Sequence, residues 1–389
     1  MNARSRVKDP SLAGDIDPAA AEWLQVTMPV TASVGDEISR LDLSGSTIAC
    51  FQHVLEDTAG TLLPLVAAGA RVRIAACNPD STDDVAAAHL VANGVEVWAW
   101  TGMTDEEYRA GLEWAASEPA DAISDMGGEL IEATLNAGHR VTGALEATTS
   151  GLHRLKPLAL TFPVFNWNDA ELKNRIHNRH HVGVEVWPVF SAVTGLAIHG
   201  RSVLVLGFGP VARGIALRAL ALGAVVTVIE PNPVRALEAA HQGCRIVDRQ
   251  DALATAAIVV TATGREGVLG PDELRGLRPG TILFNAGHSN HEIDIEWLGG
   301  QTSAEVRRHI VRYDFDKTHV YLLNRGSLLN LANDVMPRAQ ELFDPFSAMM
   351  SRGLAWILEG GAADFAPGLH PYPVELEHDI AERALAARL

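Results

Sequence analysis

Residues 201–214 read RSVLVLGFGPVARG: an apolar run, two glycines around Phe208, and a helix opening at Pro210. Gly207 permits a tight turn after the strand, and Gly209 lets a pyrophosphate approach the backbone. Ala212 takes the third small position, where the helix packs on the sheet. Val211 lies in the same turn and is counted with the cofactor contacts. The helix amino terminus then offers free N–H groups and a positive dipole to phosphates. Glu230 ends the next apolar run, AVVTVIE (224–230), twenty-three residues after Gly207. A carboxylate there holds both ribose hydroxyls of an adenosine half and repels a 2′-phosphate, which predicts NAD rather than NADP.

Reading outward, the alternation continues through AAIVVTAT (256–263), TILFNAG (281–287) and HVYLLN (319–324). Thr263, at the end of the first of these, is a further cofactor candidate. The first half repeats the pattern. STIACF (46–51), RVRIAA (71–76), VEVWAW (95–100) and DAISD (121–125) read as strands, separated by amphipathic stretches, two of which stop at glycine. Such alternation predicts parallel sheets with helices on their faces. We therefore expect two doubly wound α/β domains: a substrate-binding domain over 1–180, a Rossmann domain over 181–337, and a helical segment over 338–389 returning to the first.

Composition narrows the functional classes. At 389 residues the chain exceeds one compact core, and 47% hydrophobic with 20% charged residues is an ordinary globular balance. A formal charge of −17 argues against a nucleic-acid partner, since phosphate binding needs a basic face. No run is long enough to span a bilayer, and the amino end lacks the apolar core of a secretory signal. Cys50, Cys77 and Cys244 are odd in number and far apart, which fits reduced thiols in a cytoplasm.

The stretch NDAELKNRIHNRHHVGVEVW (168–187) sets Lys173 and His177 four residues apart, with His180 and His181 close behind. On a helix, Lys173 and His177 share a face. No acidic or thiol ligand accompanies the histidines, so no metal site is expected. His180 and His181 read most simply as solvated surface groups.

Together these segments resemble the S-adenosylhomocysteine hydrolase family, from roughly residue 20 to the end. The likeness rests on ACNPDSTDDVAAA, GMTDEEY, TTSGLHRL, FNWNDAELK, GFGPVARG, NAGHSNHEID and LLNRGSLLNL. It implies tightly held NAD recycled within each turnover. The ribose 3′-hydroxyl is oxidised, the acidified C4′ proton is removed, the 5′ substituent is expelled, water adds, and the ketone is reduced again. By the resemblance, Thr148, Thr149 and Ser150 contact the nicotinamide half, Asn330 holds its carboxamide, and Glu230 binds the ribose. Lys173 lies beside the substrate ribose, with Asn178 following it. His53 and His288 flank the C4′–C5′ region, and Asp57 touches the adenine edge; for Asp57 and Glu146, helix capping or surface solvation is the alternative. Homodimers or homotetramers are implied.

The departures fall on the substrate side. DMGGE (125–129) puts Met126 beside Asp125 where the family has an active-site aspartate, and LEATTSG (145–151) puts Ala147 at a ribose-binding glutamate. His177 replaces an aspartate and Val182 a cysteine. VMPRAQELF (335–343), with Pro337 at a histidine position, replaces the loop that closes over adenosine. The family's tail, which reaches across the dimer to NAD, has no counterpart here, so each NAD site is expected to be completed within one subunit. An imidazole at 177, in place of an aspartate, favours a neutral lysine at 173, and His177 itself is a candidate to relay protons or to hold a ribose hydroxyl. The resulting expectation is a nucleoside dehydratase, in which water leaves from C5′ of an adenine-type nucleoside with histidine assistance. A true S-adenosylhomocysteine hydrolase and a non-catalytic NAD-binding regulator are the alternatives.

Overall fold

The apolar runs become strands because both of their faces find cover. A computed structural model describes residues 5–15, 18–287, 291–316, 318–332, 335 and 339–388. It divides into two compact units, Met1–Lys173 with Ala339–Leu389, and Asn174–Arg338. The chain passes from the first unit to the second between Lys173 and Asn174, inside a π-helical segment, Leu172–Val182, that also holds the expected boundary near 180.

The first unit contributes β1 (Arg6–Val7), β2 (Thr47–Gln52), β3 (Arg71–Ala76), β4 (Glu96–Ala99), β5 (Ala122–Asp125), β6 (Gly143–Glu146) and β7 (Pro163–Asn166). The second contributes β8 (Ser202–Leu206), β9 (Val225–Ile229), β10 (Ile258–Thr261), β11 (Thr281–Asn285), β12 (Thr302–Arg307), β13 (Ile310–Phe315) and β14 (Thr318–Leu323). After the return to the first unit comes β15 (Gly368–Pro371). The carboxyl-terminal segment, expected to be helical, thus also adds a strand, flanked by the helices Asp344–Leu358 and Val374–Ala386.

In the first unit the sheet order is β1-β4-β3-β2-β5-β6-β7-β15, every pair parallel. Along β2, Ile48 and Cys50 enter one core cluster while Ala49 and Phe51 enter the one on the opposite face. Burial on both sides is why the run reads as continuously apolar rather than alternating. The chain works outward from β2 to β4 and then returns to β5 on the other side. That reversal opens a crevice at the carboxyl ends of β2 and β5.

In the second unit the order is β12-β13-β14-β11-β10-β8-β9. The five strands from β14 to β9 pair in parallel, and β12–β13–β14 run antiparallel at one end. Val203 and Val205 of β8 face one cluster, Leu204 and Leu206 the other. The reversal here lies between β8 and β10. Both units are doubly wound α/β sheets. Among the described residues, no helix is long and apolar enough to cross a membrane.

Candidate active site

In the second unit, β8 delivers the chain to Gly207, whose φ of +95° is one a side chain rarely adopts. Gly209 is extended and caps the helix Pro210–Ala221, with proline at its start where no N–H is missed. A Cβ built on Gly209 meets nothing within 4 Å, so the fold itself does not require this glycine. The open space leaves room for a ligand to approach the backbone. Ala212 is fully buried against the core, and Val211 packs beside it. At the end of β9, Glu230 accepts from the backbone N–H of Phe208 (2.7 Å) and of Asn232 (2.8 Å), which fixes its carboxylate at the glycine turn.

Across the reversal, Thr263 follows β10. Its N–H and its hydroxyl both donate to Glu292 (2.9 Å each), and the N–H of Gly264 donates to the other oxygen (2.7 Å). Glu292 is fully buried, and burial pushes its acid above the ordinary value. A Cβ on Gly287 would fall on this carboxylate, so Glu292 joins the turn after β10 to the turn after β11. The sequence reading did not single it out. Asn330 is buried, and its Oδ1 has no hydrogen-bond partner among the described residues. An orphaned amide oxygen of this kind suits the carboxamide of a nicotinamide. With the open Gly209 and the held Glu230, the residues fit NAD.

The π-helical segment continues as the helix Gly183–Thr194, which lies against the helix Pro210–Ala221. Contact is close: a Cβ on Gly183 would strike the Gly214 backbone, and one on Gly214 would strike the carbonyl of Arg179. His177 and Asn178 are buried on this segment. His181 is also buried, contrary to the expectation of a solvated group, while His180 is exposed, as expected. The His177 and His181 rings meet edge to face, centroids 5.7 Å apart. Glu185, four residues further, is buried too, so one helix face carries a column of titratable groups. Among the described residues, no group of three or more His, Cys, Asp or Glu side chains forms a metal-ligand set. His288 and Pro337 lie outside the described residues.

In the first unit, His53 follows β2, half-buried, with Nδ1 2.7 Å from the Ser81 hydroxyl. Asp57 is buried at the start of the helix Thr58–Ala67 and makes no capping bond, so neither bland alternative describes it. Across the crevice, Asp125 ends β5 fully buried and accepts from the N–H of Ile131 (2.8 Å). Met126 is half-buried against the apolar cluster, and Ala147 is buried within it. Glu146, between β6 and the segment Thr148–Ser150, is fully buried rather than solvated. Thr148 caps the helix Thr149–Leu155 by accepting from the N–H of Gly151 (2.9 Å), and its hydroxyl lies 3.1 Å from that of Ser150. Thr149 is exposed and takes a bond from Asn168 (3.3 Å).

Lys173 is buried, its Nζ 4.2 Å from the centroid of the Phe346 ring. That ring stacks on Trp167 at 4.6 Å. Burial lowers the lysine from its ordinary 10.5 to about 7. The ring face favours an ammonium, but by less than burial disfavours it. Lys173 therefore exists substantially as the free amine near neutral pH, as a proton acceptor requires.

Two stretches match family models: residues 21–140 that of S-adenosyl-L-homocysteine hydrolase, and residues 189–336 that of the S-adenosyl-L-homocysteine hydrolase NAD binding domain. An S-inosyl-L-homocysteine hydrolase of Methanopyrus kandleri is 34% identical over 392 residues, spanning 97% of this chain and 92% of that protein. One from Methanococcus maripaludis is 38% identical over 341 residues, spanning 84% and 81%. An adenosylhomocysteinase of Aeropyrum pernix is 37% identical over 341 residues, with the same two spans.

Proposed function

The chain belongs to the S-adenosyl-L-homocysteine hydrolase family and binds NAD, and from that premise we propose that it acts on a purine nucleoside by transient oxidation of a sugar hydroxyl followed by β-elimination of the 5′ substituent. One observation carries the reading. Lys173 is a buried amine that burial brings down to about 7, so that a substantial share is uncharged at neutral pH, while Met126 and Ala147, which follow β5 and β6, are apolar side chains. The base is kept and the sugar grip is changed.

When bound, NAD takes up a hydride from a sugar carbon and returns it at the end of the turnover. Lys173 accepts the hydroxyl proton during the oxidation, and it or a neighbouring water then removes the C4′ proton, labile once the adjacent carbon is a ketone. His53 or His288 protonates the departing 5′ oxygen. Water is a poorer leaving group than a thiolate and departs only with acid help, which gives these imidazoles a task. His177 relays protons or holds a ribose hydroxyl. Asp57, Asp125 and Met126 line the nucleoside side. The product is a 4′,5′-unsaturated nucleoside.

A second reading has specific support. The relatives quoted above are named as hydrolases of S-inosyl- or S-adenosyl-homocysteine, so a thioether substrate with either purine is the alternative. The test offers the full chain adenosine, S-adenosylhomocysteine and S-inosylhomocysteine, and follows NADH absorbance, free thiol and nucleoside mass together. Dehydration predicts NADH followed by a nucleoside lighter by one water. Thiol release at a rate typical of enzymes, on the order of one per second, would replace dehydration with hydrolysis. A chain that gives neither NADH nor product with any nucleoside is a binding protein, and the catalytic reading fails. Self-association as a dimer or tetramer is proposed alongside, and a purely monomeric scattering mass at micromolar concentration would refute it.

A further inference from the structure

Glu146 receives four hydrogen bonds, enough to fill the acceptor sites of a buried carboxylate. Its Oε1 accepts from the Thr148 N–H (2.7 Å), the Thr148 hydroxyl (2.6 Å) and the Gly127 N–H (3.3 Å), and its Oε2 accepts from the Gly128 N–H (2.9 Å). These donors belong to two different loops. Gly127 and Gly128, both at positive φ (130° and 73°), form the turn after β5 that presents Met126. Thr148 opens the helix Thr149–Leu155 and precedes Thr149 and Ser150. Gly151 completes the junction: a Cβ on Gly128 would crowd its backbone, and a Cβ on Gly151 itself would fall on the Glu146 carboxylate.

Beside it in the sheet, Asp125 is the register partner of Glu146. Asp125 accepts from the Ile131 N–H on Oδ2, while its buried Oδ1 has no hydrogen-bond partner among the described residues. Burial, and then the charge of Glu146, push the Asp125 acid well above the carboxylate range. Burial raises Glu146 too, but its donors oppose the rise. The converging N–H groups therefore favour the charge on Glu146 over Asp125.

We propose that Glu146 is a positioning residue for the redox step, its carboxylate tying the Met126 turn to the Thr148–Ser150 segment so that both hold one geometry. This rests on the proposed function only in assigning that segment to the nicotinamide. The substitution Glu146→Gln would keep the shape of the side chain but remove an acceptor, turning an amide NH2 toward N–H donors.

The experiment compares Glu146→Gln with the parent as full NAD-loaded chains. Amide hydrogen exchange is expected to speed up at least tenfold over the peptides holding Gly127, Gly128 and Thr148, with peptides of residues 201–287 unchanged. For whichever nucleoside the parent oxidises, kcat per folded, NAD-loaded chain should fall about 100-fold, the cost of misplacing reacting groups by about 1 Å. KM should shift far less. A purely structural role would lower the melting temperature and leave kcat per folded chain intact, which overturns the proposal. Gly151→Ala gives an independent arm. It should reproduce the loss, and Glu146→Ala/Gly151→Ala should lose no more than Glu146→Ala alone; additive losses would overturn the proposal. If the parent oxidises no nucleoside, the catalytic reading falls while exchange still decides the positioning role: unchanged exchange in Glu146→Gln refutes it.

Discussion

A buried lysine beside an aromatic ring is an expensive residue to keep, and its cost can be read from its pH dependence. The unfolded chain holds the Lys173 proton up to about 10.5, whereas the folded chain releases it near 7. Between those values the unfolded state binds the extra proton, so stability rises with pH across the window by about 1.4 kcal/mol per unit. Below 7 both states are protonated, and the full penalty of burying the ammonium remains. Lys173→Met removes the group. We expect the variant to be more stable than the parent at neutral pH and below, with the gap narrowing steadily toward about pH 9. Urea titrations of both proteins at each pH measure it, and a gap that does not move with pH contradicts a buried, depressed lysine. The same variant should form no NADH with substrate. Glu230 offers the opposite case, a carboxylate held ready by two backbone N–H groups. Glu230→Ala should weaken NAD by roughly 1–3 kcal/mol, the range for a lost charged hydrogen bond. Equal affinities by calorimetric titration would remove Glu230 from the cofactor site.

At the scale of the element, two glycines of one motif do different work. Gly209 has open space where its Cβ would stand, but Gly214 presses on the carbonyl of Arg179 in the neighbouring helix. Gly209→Ala should therefore fold and melt like the parent while losing NAD affinity. Gly214→Ala should lower the melting temperature by several degrees, because the helices cannot approach. Reversed outcomes would show that the motif's roles had been misassigned. The strands and the glycine turn were legible because their signals are local: apolar runs covered on both faces, and a turn whose backbone only glycine adopts. Several features were not. Every residue of β12 is exposed, so no alternation marks it, and β15 is four residues inside a segment that otherwise reads as helix. His181 sits in a polar run whose burial comes from packing that no spacing announces, and nothing local signals the π-helical winding there. Glu146 and Glu292 were missed in role for one reason. Each carboxylate joins loops far apart in sequence, Glu146 those after β5 and β6 and Glu292 the turn after β10 to its own loop after β11, and only the sheet register brings those loops together.

For the whole molecule, the division of the chain makes a prediction that its linear order conceals. The first unit is discontinuous: residues after Ala339 supply β15 and the helix Asp344–Leu358, whose Leu354 and Ile357 are fully buried in the first core cluster. They also supply Phe346, the ring under Lys173, and Glu377, whose Oε1 accepts from the N–H of Leu172 (2.5 Å) where the π-helical segment begins. The second unit is continuous, and Gly207, Gly209, Glu230 and Asn330 all lie inside it. A chain ended after residue 338 should therefore lose the cooperative melting of the first unit, since uncovering a sheet face of that size exceeds the few kcal/mol of margin a domain holds. The second unit should remain folded and still bind NAD. Ligand at about one hundred times its Kd should raise that unit's stability by about 2.7 kcal/mol. Circular dichroism melts with and without NAD make the test. If the shortened chain keeps the full parental transition, the returning segment is an appendage and not part of the first core. If it melts without any response to NAD, the second unit does not hold the dinucleotide with its own residues.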